Sequence, residues 1–194
     1  MSINRQDNTM SESAEYELEA MITEVRNGPE MHKPSQSAEW LVDNKDLFSS
    51  DVAGKENSSS PCLLVKFTFI KDVRIDSSGE YRAGHVQLRH FMVCMRVNSS
   101  GPLLQEGMQK GTVFAEITVF HLTSIGNTVE ITQTIRFENC RIVAFKQVGS
   151  LMAFAITYAA YSDVTTVFNP DDNSKIGNVG VKYDVQKIKS TSIS

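Results

Sequence analysis

Three side chains able to bind a metal lie close together in "HVQLRHFMVC", where His85, His90 and Cys94 form H-x4-H-x3-C. Structural zinc takes four donors at characteristic short spacings, and this set matches none of them. In a strand, His90 and Cys94 share one face with Met92 between them, so core or rim positions are the expectation. A second cluster, Asp171, Asp172 and Asn173 in "NPDDNSKIGN", has the oxygen atoms of a calcium loop. It lacks the alternate-residue acidic spacing and the distal glutamate, and Asn-Pro-Asp-Asp is ordinary turn chemistry. Glu116, Glu130 and Glu138 stand singly at outward strand positions, where carboxylates keep a surface soluble. No G-x-S-x-G, Walker or G-x-G-x-x-G pattern is present, which leaves no nucleophile elbow or phosphate cradle. The expectation is therefore no catalytic residue, no metal, no cofactor and no enzyme.

The elements around these residues are mostly strands. Leu63, Val65, Phe67, Phe69, Val73 and Ile75 alternate with polar residues, as one wet-faced strand requires, and Ser77-Ser78-Gly79 closes it as a turn. "HVQLRHFMVCMRV" is apolar on both parities and reads as a bulged or doubly buried strand. "SSGPLLQEGMQKG" reads as a short helix, with Pro102 in its first turn and Gly111 past its end. Between 112 and 145 the pattern predicts two strands around a turn at Ser124 to Asn127, then a third after Asn139. "LMAFAITYAAY" sets alanines between large side chains and must be covered on both faces, inside a barrel wall or by another subunit. A further strand runs through Val179, Val181, Tyr183 and Val185. The expected fold is mainly β: an antiparallel barrel or sandwich of about seven or eight strands with one short helix, over residues 61–190.

The front of the chain differs in charge. Residues 1–60 hold five Lys/Arg against twelve Asp/Glu, a net −7, whereas the remainder carries +3. Such a composition predicts a mostly flexible acidic tail ending near Pro61. Within it, Ala14, Leu18, Met21, Ile22 and Val25 share one face of an amphipathic helix over 11–26, stopped by Asn27-Gly28-Pro29. That helix docks either on its own core or on a neighbouring subunit or other partner. Trp40 in "SAEWLVDNKDLF" is a second anchor for the tail. Together with the strand residues Phe154, Ile156, Tyr158 and Tyr161, the side chains Leu18, Met21, Ile22 and Trp40 are the candidate assembly surface.

The three cysteines, Cys62, Cys94 and Cys140, lie in apolar surroundings without short spacing, which suits reduced thiols in a cytosol-like compartment. No signal peptide pattern and no membrane-length apolar run occur, so the glycosylation triplets at Asn57 and Asn98 are expected to stay unmodified. The basic residues of the core are scattered, so no specific nucleic acid recognition is expected.

The order "GHVQLRHFMV", "SSGPLL", "FHLTSIGNTVE", "IRFENCRIVAF" and "GNVGVKYDV", over about residues 85–185, resembles the Hcp tail-tube family of type VI secretion. Tyr183 stands where that family has a tryptophan. The resemblance implies a non-enzymatic, self-assembling β-barrel with a flanking helix. Its partner is itself, in a hexameric ring stacked into a tube, together with other assembly or secretion components; the protein is cytoplasmic and exported without a signal peptide. A mobile front before a compact β-rich core is also similar to rhabdovirus matrix proteins. That alternative implies a virion subunit within the host cell, contacting nucleocapsid and lipid. A small-ligand-binding β-barrel is a third reading that the strand count permits.

Overall fold

A computed structural model describes residues 5–32, 39–48, 59–75, 81–88, 90–184 and 189–193. Strand β1 is Trp40–Asp43, β2 Ser59–Cys62, β3 Leu64–Lys66, β4 Phe69–Ile75, β5 Tyr81–Leu88 and β6 Phe91–Arg96. After a helix come β7 Phe114–Ile125, β8 Thr128–Val148, β9 Leu151–Thr157, β10 Ala160–Phe168, β11 Lys175–Asp184 and β12 Lys189–Ile193. All pairings are antiparallel, and ten strands form one sheet while β4 and β5 pair with each other. The described strands thus exceed the seven or eight expected, mainly because long apolar stretches break into separate strands where they change partner.

The spine is β8. Its first half pairs with β7 and, from Gln133 to Glu138, with β10. Its second half, from Arg141, pairs with β9. Between them Asn139 has φ 54°, a left-handed conformation that asparagine tolerates better than most residues. At that bend the strand leaves one partner for the other. From β9 the ladder passes to β6 and then to β3, while β2 pairs with β1 and β1 with β7. The wall is not regularly closed: continuity round the core runs through Leu63, between β2 and β3, whose N–H donates to Cys94 O at 2.9 Å.

Inside lie Phe48, Phe91, Phe137, Phe154 and Ile135, with Phe91 stacked on Phe137 at a centroid distance of 4.3 Å. Helix α2, Ser100–Lys110, closes this core with Leu104. Its Gly107 lets the helix lie close on β7, since a Cβ there would lie 2.8 Å from the tip of the Phe114 ring. Gly111, at φ 62°, ends the helix as the sequence predicts.

Helix α1, Arg5–Asn27, is longer than the expected 11–26. Its Ala14, Leu18, Met21, Ile22 and Val25 are buried on Met92, Cys94, Leu151, Ala153 and Ala155. Strand β9 thereby explains its apolar double parity: Met152, Phe154 and Ile156 point into the core, and the smaller Ala153 and Ala155 form a flat bed for the helix. The expected covering of that strand is inside a barrel wall or by another subunit; its outer face is covered by the chain's own helix α1. The described part of the acidic front after α1 likewise packs on the core. Strand β1 pairs with β7, Leu41, Val42, Leu47 and Phe48 are buried, and Pro61, the expected boundary, sits inside β2 opposite Leu41. The tail stretches 33–38 and 49–58 lie outside the described residues, as do Ser77-Ser78-Gly79 and the side chain of His85.

Candidate assembly surface

Among the described residues no group of three His, Cys, Asp or Glu converges to hold a metal ion. The Asp171 to Asn173 loop is the turn the sequence predicts. The Asn169 side chain accepts from the Asp171 N–H at 3.0 Å, the Asp172 carboxylate accepts from the Ser174 N–H at 2.9 Å, and Asn173 takes φ 59°. Hydrogen bonds from Ser174 hold the Asp172 carboxyl below its ordinary range. All three thiols are buried, and burial pushes Cys94 and Cys140 up to about 12 and Cys62 higher still. They are packing groups, not nucleophiles.

The distinctive surface is built by the strands that run past the core. Along β8, alternate residues Phe137, Ile135 and Gln133 share one face, and a bulge at Thr132 turns Ile131 and Val129 to the other face, where Val129 is 66 % exposed. The face of Phe137, Ile135 and Gln133 continues across the ladder, since Asp163 and Thr165 of β10 pair with Val181 and Val179 of β11. Val179 is 62 % exposed. This face thus runs from the core past Gln133, Asp163 and Thr165 to the exposed Val179 and Val181. At its root Tyr158, Tyr161 and Tyr183 continue the ring column from Phe137 at centroid distances of 4.7, 6.2 and 6.0 Å. Burial raises the Tyr158 phenol above its ordinary range. In the middle, Gln133 Nε2 donates to both Asp163 carboxylate oxygens at 2.9 and 3.0 Å, which satisfies the carboxylate set among these side chains.

The opposite face of the same strands is polar. Arg136 pairs with Glu116 at 3.2 Å, Lys182 with Glu138 at 2.9 Å, and Thr118 donates to Glu116 at 2.9 Å. Gly180 lies where these strands approach most closely: a Cβ there would be 2.6 Å from the Asp163 carbonyl oxygen. At the far end, a cavity of about 680 Å³ opens between the β7–β8 and β10–β11 hairpins, lined in part by Ile125, Val129, Ile131 and Phe168.

The sequence-predicted surface is only partly here. Tyr158 and Tyr161 sit at the root of the bare face, and Trp40 lies half-buried on β1 against His121 at 4.5 Å. Phe154 and Ile156 are core residues, and Leu18, Met21 and Ile22 are sealed between α1 and the strands beneath it; these five are not exposed on the folded chain, because each already has an intramolecular apolar partner. What the pattern missed as surface, Val179 and Val181, alternates like any half-buried strand. Only the register showed that their inward-facing parity has left the core.

The sequence pattern of the family described as "Type VI secretion system effector, Hcp" matches residues 52–170. No curated protein matches the chain. Among solved structures, a type six secretion system protein superposes with a TM-score of 0.69 at 10% identity, covering 80% of this chain and 100% of that one. Hcp1 from Salmonella typhimurium gives 0.63 at 9% identity, with 78% and 97% covered. A mutant form of Hcp1 from the E. coli EAEC 042 pathovar gives 0.59 at 14% identity, with 77% and 99% covered. These likenesses establish a shared fold.

Proposed function

The chain belongs to the Hcp family of type VI secretion proteins, and we propose that this structural subunit closes into six-membered rings that stack into a tube exported by the secretion machinery. The observation that carries this reading is the core-side face of β10 and β11, where Val179 and Val181 stand exposed, whereas the apolar face of β6 and β9 is covered by α1. A face of that kind, continuous with the core, is characteristic of an association surface. The polar face behind it, with its paired charges, suits a water-filled channel. Among the described residues, Phe91, Phe137 and Phe154 pack the interior where a binding barrel would hold its ligand, and the viral matrix alternative gives way to the family assignment.

The test is mass and shape together. Light scattering of the purified full chain is expected to give six times the 21.6 kDa subunit, with rings around a central hole in negative-stain images. A monomer at high protein concentration would overturn the reading.

A further inference from the structure

Strands β8 and β10 pair with each other only from Gln133 to Glu138 and from Ala160 to Thr165. Beyond that ladder both run on, β8 back to Thr128 against β7 and β10 out to Phe168 against β11. Each hairpin carries an irregularity near the point where the ladder ends, between His121 and Leu122 in the first and between Val167 and Phe168 in the second. Bulges of this kind bend and twist a strand and end its pairing. The hairpins part there and approach again at their tips, where a Cβ on Gly126 would stand 3.8 Å from Asn173 Nδ2. Between them lies the recess of about 680 Å³, and its apolar wall of Leu122, Ile131, Val164 and Phe168 is half-buried on one face of the sheet, opposite to the face of Val179 and Val181. The two long sides of the recess are strand edges: residues 128–132 of β8 and 166–168 of β10 have a ladder partner on one side only among the described residues. Alternate residues of an antiparallel strand turn N–H and C=O towards a given edge, so both sides offer main-chain donors and acceptors at strand spacing.

We propose that this slot receives a short extended segment of another protein, added as a strand between the two hairpins. An unpaired strand edge is complementary above all to a second extended main chain. Two such edges facing one recess reinforce that preference, since a small apolar molecule would fill the space and leave their N–H and C=O groups unmet. The unpaired run is three residues on β10 and five on β8, and five residues of strand span about 17 Å at ~3.4 Å each. The segment is therefore three to five residues long. Side chains of an added strand alternate between the two faces. Those on the recess side meet Leu122, Ile131, Val164 and Phe168 and are apolar; those between them turn to the face where Glu130 and Thr165 are exposed and are polar. Occupation of the slot does not depend on the ring reading.

The probe is an end-capped, fluorescein-labelled pentapeptide of sequence Thr-Val-Thr-Val-Thr, titrated with the purified full chain and followed by fluorescence anisotropy. It is expected to bind saturably. The same peptide N-methylated at both valines keeps every side chain and loses its donors to one edge, and is expected to bind at least about tenfold more weakly. Two full-length variants locate the site: Thr166→Phe fills the recess and Ile131→Glu places a charge in its wall, and each is expected to weaken binding of the unmodified peptide by a similar factor. Thermal melts by circular dichroism show whether each variant is folded, and Thr166→Phe decides alone if Ile131→Glu unfolds. Absence of saturable binding to the wild type overturns the proposal. Equal affinity for the N-methylated peptide also overturns it, making the recess a site for apolar side chains without strand pairing. So does unchanged affinity in Thr166→Phe, which would put the peptide elsewhere. Binding that appears only on dilution to monomers overturns it as well, because a second copy of this chain would then fill the slot.

Discussion

At the scale of single residues, the candidates that sequence offers for chemistry become packing and turn groups once the chain folds. The cysteines show why spacing alone misleads. Cys62 and Cys140 point into the core and Cys94 under α1, so each thiol loses the hydration its thiolate needs. For Cys94 and Cys140 the pKa rises from 9.0 to about 12. The neutral thiol is the form the fold favours, so this stabilising effect is fully present below pH 9 and is lost as pH climbs towards 12. A disulfide-exchange reagent at about pH 8, just below the ordinary thiol range, is expected to leave all three thiols unmodified in the native protein and to titrate all three in guanidinium. Rapid native labelling of even one would contradict its burial. The sequence signalled apolar surroundings for all three, but which face each occupies depends on strand register, and a one-residue slip reverses that.

At the scale of elements, periodicity predicted both helices and the hairpin around Ser124 to Asn127, and left the other strand partners open. The i, i+4, i+7 apolar spacing of Ala14, Leu18 and Met21 is local, and α1 follows it. Strand β1 is only Trp40–Asp43, and it exists because β7 and β2 flank it. No property of those four residues announces partners so distant in the chain. What α1 contributes also depends on its apolar face rather than its charges. Leu18 is fully buried, and Leu18→Ala is expected to cost about 2–5 kcal/mol, the range for a leucine cavity. The Lys146–Glu19 pair, at 2.9 Å with an exposed glutamate, is expected to matter by less than about 1 kcal/mol when Glu19→Ala removes it. Urea unfolding of the two variants checks the order. A larger midpoint shift for Glu19→Ala would mean that charge, not burial, holds the helix.

At the scale of the whole molecule, an assembly follows from how the fold distributes polarity. The core-side face of β8, β10 and β11 runs out from under the barrel as Val179 and Val181, while the reverse face carries Arg136–Glu116 and Lys182–Glu138. These two faces make opposite demands on salt. Exposed ion pairs are screened, with a Debye length of about 3 Å at 1 M, whereas apolar contacts are not weakened by screening and are strengthened by excluded salts such as sulfate. If neighbouring copies meet through the valine-bearing face, the ring fraction seen by sedimentation velocity should hold between low salt and about 1 M sodium chloride, where screening is nearly complete, and rise in sodium sulfate. Loss of rings in sodium chloride would instead assign the junction to the charged face. Cooling discriminates further, since hydrophobic association weakens at low temperature: rings joined by valines should dissociate more in the cold at limiting concentration, and a junction held by charges should not.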